Sequence, residues 1–364
     1  MPNDAGIVHE LCQDPLIRRW TSIPSPYSDA DAEAFVADPG PYSWAIRDAT
    51  SAPGTNDVLG AISLRPAGDP RRAELGFWCA AHARRRGVIT AAGRAVCRWG
   101  FEAVGLDRIE WYAEVGNEAS WRAAHQMGFG FEGRTRARIQ NAGREPVDAW
   151  AAALLPGEIP DERVPLPWGP DPVLSAGAVT VRRWISSDAA AFVALQGEVD
   201  VLFWSGRGAD EGPTPADAQQ LISQTYVERW MTGSGATFAV LVDGQVAGGV
   251  GVNRRHQRLG ELSWWVGAAY RGRGVATTAV DLVARWAGGI GLERLEARVH
   301  VDNAASIGVA DRVGMRREGR LAAEAPYLRT YPLRRPSGVP LPDPVIAPSW
   351  GDAFLFGLLT GDLR

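Results

Sequence analysis

The chain has 364 residues, of which 46% are hydrophobic and 22% charged, and a net charge of −4 at pH 7. This suits a globular protein with room for two cores, and it offers no whole-chain basic surface for nucleic acid, so any anion site has to be local. No stretch supplies the ~18 consecutive apolar residues of a membrane span, and Cys12, Cys79 and Cys97 have neither CxxC nor Cys/His metal spacing.

These features, with no basic-then-apolar leader, lead us to expect a cytoplasmic protein with free thiols, no metal, and neither nucleic acid nor membrane as partner. All 38 basic residues are arginine. We read that as coding bias, so arginine abundance alone carries little functional weight.

Along the chain, the first half starts almost at once in helical sequence and reaches a strand, Glu74-Leu-Gly-Phe-Trp78, before the loop Arg84-Arg-Arg-Gly-Val-Ile-Thr90. Val88, Ala92, Val96 and Trp99 then recur at helical spacing. Ile109, Trp111, Ala113 and Val115 alternate with Glu110, Tyr112 and Glu114, the period of a half-buried central strand. Asn117 and Ser120 open a short helix, and Trp150 to Leu155 reads as a closing strand.

Six prolines between Pro156 and Pro172 then disfavour helix and interior strand, and we expect a linker over 157–176 between an N-terminal domain, 1–156, and a C-terminal domain, 177–364. The second half opens with Val179-Thr-Val-Arg-Arg-Trp184, a strand that the first half lacks unless its true start lies upstream. A missing edge strand needs cover.

The second half repeats the first in order and spacing. Glu261-Leu-Ser-Trp-Trp265 and Arg271-Gly-Arg-Gly-Val-Ala-Thr277 answer the strand and loop, and Val275, Ala279, Val283 and Trp286 answer the helix. After a one-residue deletion, Asn303, Ser306, Gly314 and Glu318-Gly319 answer Asn117, Ser120, Gly128 and Glu132-Gly133. A register held this long marks an internal duplication. Trp78, Trp99, Trp265 and Trp286 sit at matched positions and read as core packing, as do Trp44 and Phe238. The second copy carries a proline-rich insertion near 326–347, a candidate substrate-facing loop alongside Ala49 to Asp57.

A glycine-permitted turn entering a helix N-terminus presents unpaired N–H groups and the positive end of the helix dipole, which suits a pyrophosphate, and arginines add charge-assisted hydrogen bonds. There is neither GxGxxG after an early strand nor, without lysine, a GxxxxGK[ST] loop, which sets aside dinucleotide and ATP sites.

Strand, loop and Asn-x-x-Ser together, twice, resemble the GNAT superfamily, in particular its branch similar to the RimJ and RimL protein N-terminal acetyltransferases. The second copy resembles the family's acyl-CoA motif in full at Arg271, Gly274 and Ala276. The first matches at Arg84 and Gly87 but has Ile89 where a small residue is preferred, and Arg85 where the second has Gly272.

The resemblance implies a mixed α/β fold in two tandem acyl-CoA N-acyltransferase domains, acetyl-CoA as co-substrate, and a primary amine, on a protein N-terminus or a small molecule, as acceptor. It places CoA contacts at Cys79, Arg84, Arg86, Gly87, Thr90 and Asn117, and at Val266, Arg271, Gly272, Arg273, Gly274, Ala276, Thr277 and Asn303. It also implies that the strand before the loop splays from its parallel neighbour near Phe77 to Cys79 and Trp264 to Val266.

Glu74 and Glu261 are candidate general bases, against the alternative of solvent-facing strand residues. Ser120 and Ser306 are candidate proton donors to the leaving thiolate, with helix capping by the Asn-x-x-Ser turn as the competing explanation. His300 is a possible proton carrier or a surface residue. Cys79 is not read as a nucleophile, because Val266 takes its place in the second copy. One or both copies could instead be non-catalytic acyl-CoA-binding modules in an intramolecular pseudo-dimer, and a homo-oligomer stays open. The fuller motif favours the second copy as the more active.

Overall fold

The computed structural model describes residues 4–50, 58–140, 145–205, 212–328 and 348–363. The chain forms two compact units, residues 1–166 and 167–364.

In the first unit, helices Ala5–Cys12, Pro15–Trp20 and Asp29–Ala37 precede strands β1 (Ser43–Arg47), β2 (Val58–Ala67), β3 (Asp69–Cys79), β4 (Arg108–Glu114), β5 (Gly130–Ile139) and β6 (Val147–Leu154), in the sheet order β1-β2-β3-β4-β6-β5. All neighbours are antiparallel except β3 and β4. That pair is joined through helix Val88–Trp99, the crossover that a parallel connection requires. On β4, Ile109, Trp111 and Ala113 are buried, as the alternation predicts.

The second unit repeats this plan with β7 (Val173–Ala176), β8 (Val179–Arg183), β9 (Gly235–Val242), β10 (Gln245–His256), β11 (Leu259–Val266), β12 (Arg294–His300), β13 (Arg316–Leu328) and β14 (Pro348–Leu359), in the order β7-β8-β9-β10-β11-β12-β14-β13. Only β11 and β12 run parallel, bridged by helix Val275–Gly289. Among the described residues, the first unit has no counterpart of β8 beside β1.

The structure corrects three expectations. The expected linker ends in strand, because Val173–Ala176 pairs with Val179–Arg183 around Gly177 in the left-handed region (φ +57°). Each copy closes with two strands rather than one. The additional strands, β5 and β13, are arginine-rich sheet edges without clean alternation, and in each an alanine in the left-handed region (Ala137 φ +50°, Ala323 φ +48°) bulges the ladder. Asp148 and Asp352 hold these bulges by accepting from the Ala137 and Ala323 N–H groups at 2.9 and 3.1 Å. Of the expected insertion, β13 reaches Leu328 and β14 starts at Pro348, and residues 329–347 lie outside the described residues. Most of the other candidate loop, 51–57, does as well.

The third correction concerns the helix before β4. In the second unit Val275, Ala279 and Val283 are buried as expected, beside Val280, Ala284 and Ala287. In the first unit the buried line is Ile89, Gly93, Cys97 and Gly100, turned from the expected Val88, Ala92, Val96 and Trp99. Gly93 takes the place of Val280, and the bulk is supplied across the contact by Met127, whose side chain fills the space a Cβ on Gly93 would need.

Trp99 is accordingly 37% exposed and packs edge-on against Tyr42 and Trp44. Its counterpart Trp286 is covered by Trp168, Trp230 and Phe238.

Candidate active site

The parallel pair opens at the same register in both copies. Between β3 and β4 the ladder runs Arg72↔Arg108, Ala73↔Ile109, Glu74↔Glu110 and then stops. Between β11 and β12 it runs Leu259↔Arg294, Gly260↔Leu295, Glu261↔Glu296 and stops. Beyond the glutamates, β3 continues to Cys79 and β11 to Val266 paired on one side only, to β2 and β10. Gly60 and Gly248 admit this course, because a Cβ on either would collide with the carbonyl oxygen of Trp78 or Trp265.

A few residues on, both copies take the same turn. Arg85 and Gly87 have φ +64° and +74°, against +70° and +76° for Gly272 and Gly274. Arg85 therefore adopts the left-handed conformation that glycine holds in the second copy. Gly87 and Gly274 are the N-caps of helices Val88–Trp99 and Val275–Gly289, without a side-chain cap. The first N–H groups of each helix thus have no intrahelical or side-chain cap partner. Ile89 is buried at this first turn, so its bulk goes into packing.

Of the loop arginines, Arg84, Arg86 and Arg271 meet carboxylates, whereas Arg85 and Arg273 meet none among the described residues. Arg84 pairs with Asp14 at 2.5 Å, and Asp14 also caps helix Pro15–Trp20. Arg271 pairs with Asp200 at 2.6 Å and donates from Nε to the Val266 carbonyl at 3.0 Å. Arg86 lies 3.4 Å from Asp48. Arg84 and Arg271 thus brace the loop against the N-terminal helices. Beside the first helical turns, Thr90 Oγ1 is 3.4 Å from Gln126, and Thr277 Oγ1 accepts from Arg312 at 3.3 Å.

Asn117 and Asn303 cap the following helices, each accepting from the N–H of Ser120 or Ser306, at 3.2 and 3.0 Å. Ser120 Oγ also accepts from Trp111 Nε1 at 3.2 Å, which leaves its own hydroxyl proton to donate. Ala297 replaces Trp111 in the second copy, so Ser306 has no equivalent contact.

Glu74 lies between Arg65 (2.6 Å) and Arg138 (3.1 Å), one on each carboxylate oxygen. Glu261 lies between Arg255 and Arg298 (2.9 Å). The two glutamate side chains are 23% and 14% exposed. His300 is buried rather than at the surface, its ring beside Trp204 and its Nδ1 accepting from the Asp302 N–H at 3.1 Å.

Burial pushes the Cys12 thiol up to about 11 and the Cys97 thiol to about 12. Cys79 is raised by burial too, with Arg84 and Arg86 pulling the other way.

The first unit holds a cleft of about 1350 Å³ that brings together Glu74, Cys79, Arg84, Gly87, Thr90, Asn117 and Ser120, with Arg86 outside its lining. The cleft also takes in Arg65, Tyr112, Arg138 and Arg163, which sequence reasoning missed. Arg138 sits on a polar edge strand and stacks over Tyr112 at 4.1 Å, and Arg163 lies in the proline-rich stretch. Neither carries a motif. For Tyr112, alternation with the buried Trp111 was the one available signal.

Among the described residues no helix is long and apolar enough to cross a membrane, and no group of three or more His, Cys, Asp or Glu is gathered for a metal.

Two copies of a mixed sheet, each parting beside a glycine-capped helix, define an acyltransferase architecture. The acetyltransferase (GNAT) domain model matches residues 1–130 and again 178–316, and the chain belongs to that family. Acetyl-CoA is the family's co-substrate.

Over 66 residues the chain is 41% identical to YdaF of Bacillus subtilis (strain 168), a protein assigned to the ribosomal N-acetyltransferases, a match covering 18% of this chain and 36% of that protein. The chain thus spans about a third of the length of this relative. Similar solved structures include Mycobacterium smegmatis RimJ with CoA-disulfide (21% identity, TM-score 0.44, 53% of this chain and 88% of that one) and the ribosomal-protein-S5-alanine acetyltransferase of Vibrio fischeri (19%, 0.43, 53% and 100%).

Proposed function

We propose that the chain is an acetyl-CoA-dependent N-acetyltransferase that passes the acetyl group to a primary amine by direct attack within a ternary complex. The observation that carries this reading is the strand pair that parts after Glu74↔Glu110 and after Glu261↔Glu296, next to a helix N-terminus with no side-chain cap in each copy. Backbone donors on a parted strand can hold a carbonyl oxygen as it gains charge, and the helix start can take the pyrophosphate.

The amine nitrogen bonds to the acetyl carbon and the carbon–sulfur bond breaks. In this reading Ser120 or Ser306 gives the departing thiolate its proton and regains one from solvent, and a carboxylate or water takes the proton from the amine. The assignment of YdaF makes ribosomal-protein N-termini the first acceptors to try.

One observation favours a second reading, a non-catalytic acyl-CoA-binding module. Arginines occupy Glu74 and Glu261, so a proton acceptor there has to displace one. Mass-spectrometric acetylation assays over a panel of peptide N-termini and small amines separate the two. We expect an acetylated product, with the rate falling by about 10²-fold in Ser120→Ala or Ser306→Ala, whichever copy is active. Acetyl-CoA binding without product from any amine would support the second reading.

A further inference from the structure

The segment that follows β6 folds back over the first unit. Arg94, on helix Val88–Trp99, donates to the carbonyls of Pro160 and Asp161. Pro160 packs against Gly128, and His125 Nε2 lies 2.9 Å from the Pro165 carbonyl. Between these two anchors stands Arg163. Its Cζ, Nη1 and Nη2 are each 3.2 Å from the place a Cβ on Gly87 would take, so the guanidinium lies face-on over the glycine that starts the helix. At Gly274 the same space is open to 4 Å.

We propose that Arg163 is a phosphate-binding residue of the first copy, contacting the pyrophosphate of acyl-CoA with its N–H edge at the N-terminus of helix Val88–Trp99. The inference rests on the reading that this loop binds acyl-CoA. Two facts lead to it beyond proximity. Arg84, the motif cation, is taken by Asp14, whereas Arg163 has no carboxylate partner among the described residues. The second copy meets the same need by another route, since Arg312 stands beside Thr277 where the first copy has the uncharged Gln126. Each copy thus brings a further guanidinium to its phosphate helix from outside the loop, from the next helix in the second and from the following strap in the first. Arg94 acts through Arg163, as a positioning residue.

The test is calorimetric titration with acetyl-CoA in a Gly274→Trp background that blocks the second site, with melting curves as the check on folding. Arg163→Ala is expected to raise the dissociation constant about ten-fold or more and to flatten its salt dependence, with Arg163→Lys recovering part of the loss. Affinity for S-acetylpantetheine, which has no phosphate, should not change. Arg94→Ala should weaken acetyl-CoA binding but add nothing on top of Arg163→Ala. In the unblocked protein the same substitution should weaken one of two sites.

Unchanged acetyl-CoA affinity in Arg163→Ala overturns the proposal, and tighter binding overturns it in favour of a plug. Wild-type protein that binds no acetyl-CoA removes the underlying reading as well, a result distinct from wild-type binding that ignores Arg163.

Discussion

Arg85 holds a left-handed backbone that its own Cβ disfavours, at a position where the duplicate has glycine. Such a conformation costs a non-glycine residue about 1–2 kcal/mol. Arg85→Gly should therefore stabilise the first unit by up to about 1 kcal/mol, since glycine's greater freedom when unfolded offsets part of the relief. A urea melt checks this, and a destabilised variant would mean that the arginine side chain makes up for its backbone.

Asp14 joins two tasks in one carboxylate. The hydrogen bond from Arg84 first, and then the N–H groups of Ile17 and Leu16, hold it below the usual carboxylate value despite opposing desolvation. A lowered folded-state value means that its stabilisation is complete above the ordinary carboxylate range and is lost as pH falls through the folded value. Thermal melts of Asp14→Asn should thus lie below wild type at pH 7, by up to about 1 kcal/mol for the lost ion pair with Arg84, since asparagine can still cap the helix, and approach it below about pH 4. Parallel curves across that window would show that Asp14 is not the group responsible. Cys79 gives a third measure, because Cys12 and Cys97 are buried while Cys79 is half-buried. Iodoacetamide should label Cys79 first, and acetyl-CoA should slow that labelling.

At the scale of elements, legibility followed how local the determining chemistry is. The loop, its glycine caps and the strand carrying Ile109, Trp111 and Ala113 depend on neighbours in sequence, and each was readable from residue type and spacing. β5 and β13 were not, because an edge strand facing water needs no alternation, and their bulges put an alanine where turn chemistry would suggest glycine. The face of helix Val88–Trp99 was misjudged because Gly93 and Gly100 give no hydrophobic signal, although they are where Met127, Leu64 and Leu106 approach. Gly93→Ala should force Met127 aside and cost about 1–3 kcal/mol in a denaturant melt. A neutral result would show that Met127 has room to move.

For the whole molecule, the duplication was legible because its register persists through both loops, both capped helices and both glutamate pairs. The cleft was not, since it is built by side chains such as Arg138 and Arg163 that come together only through tertiary structure. If both copies bind, calorimetry should give two acetyl-CoA per chain, falling to one in Gly274→Trp. A single site in wild type would assign binding to one copy alone.

The exchange of bulk between Gly93 and Met127 has a further consequence while the chain folds. Two related domains made in one polypeptide are prone to misassembly, each competing for the other's segments. A helix carrying Val280 would clash with Met127, and a helix carrying Gly93 would leave a void beside Val313. The mismatch gives each helix an address. A chimera with the helices Val88–Trp99 and Val275–Gly289 interchanged should refold slowly and with aggregation, and adding Met127→Val and Val313→Met should restore refolding.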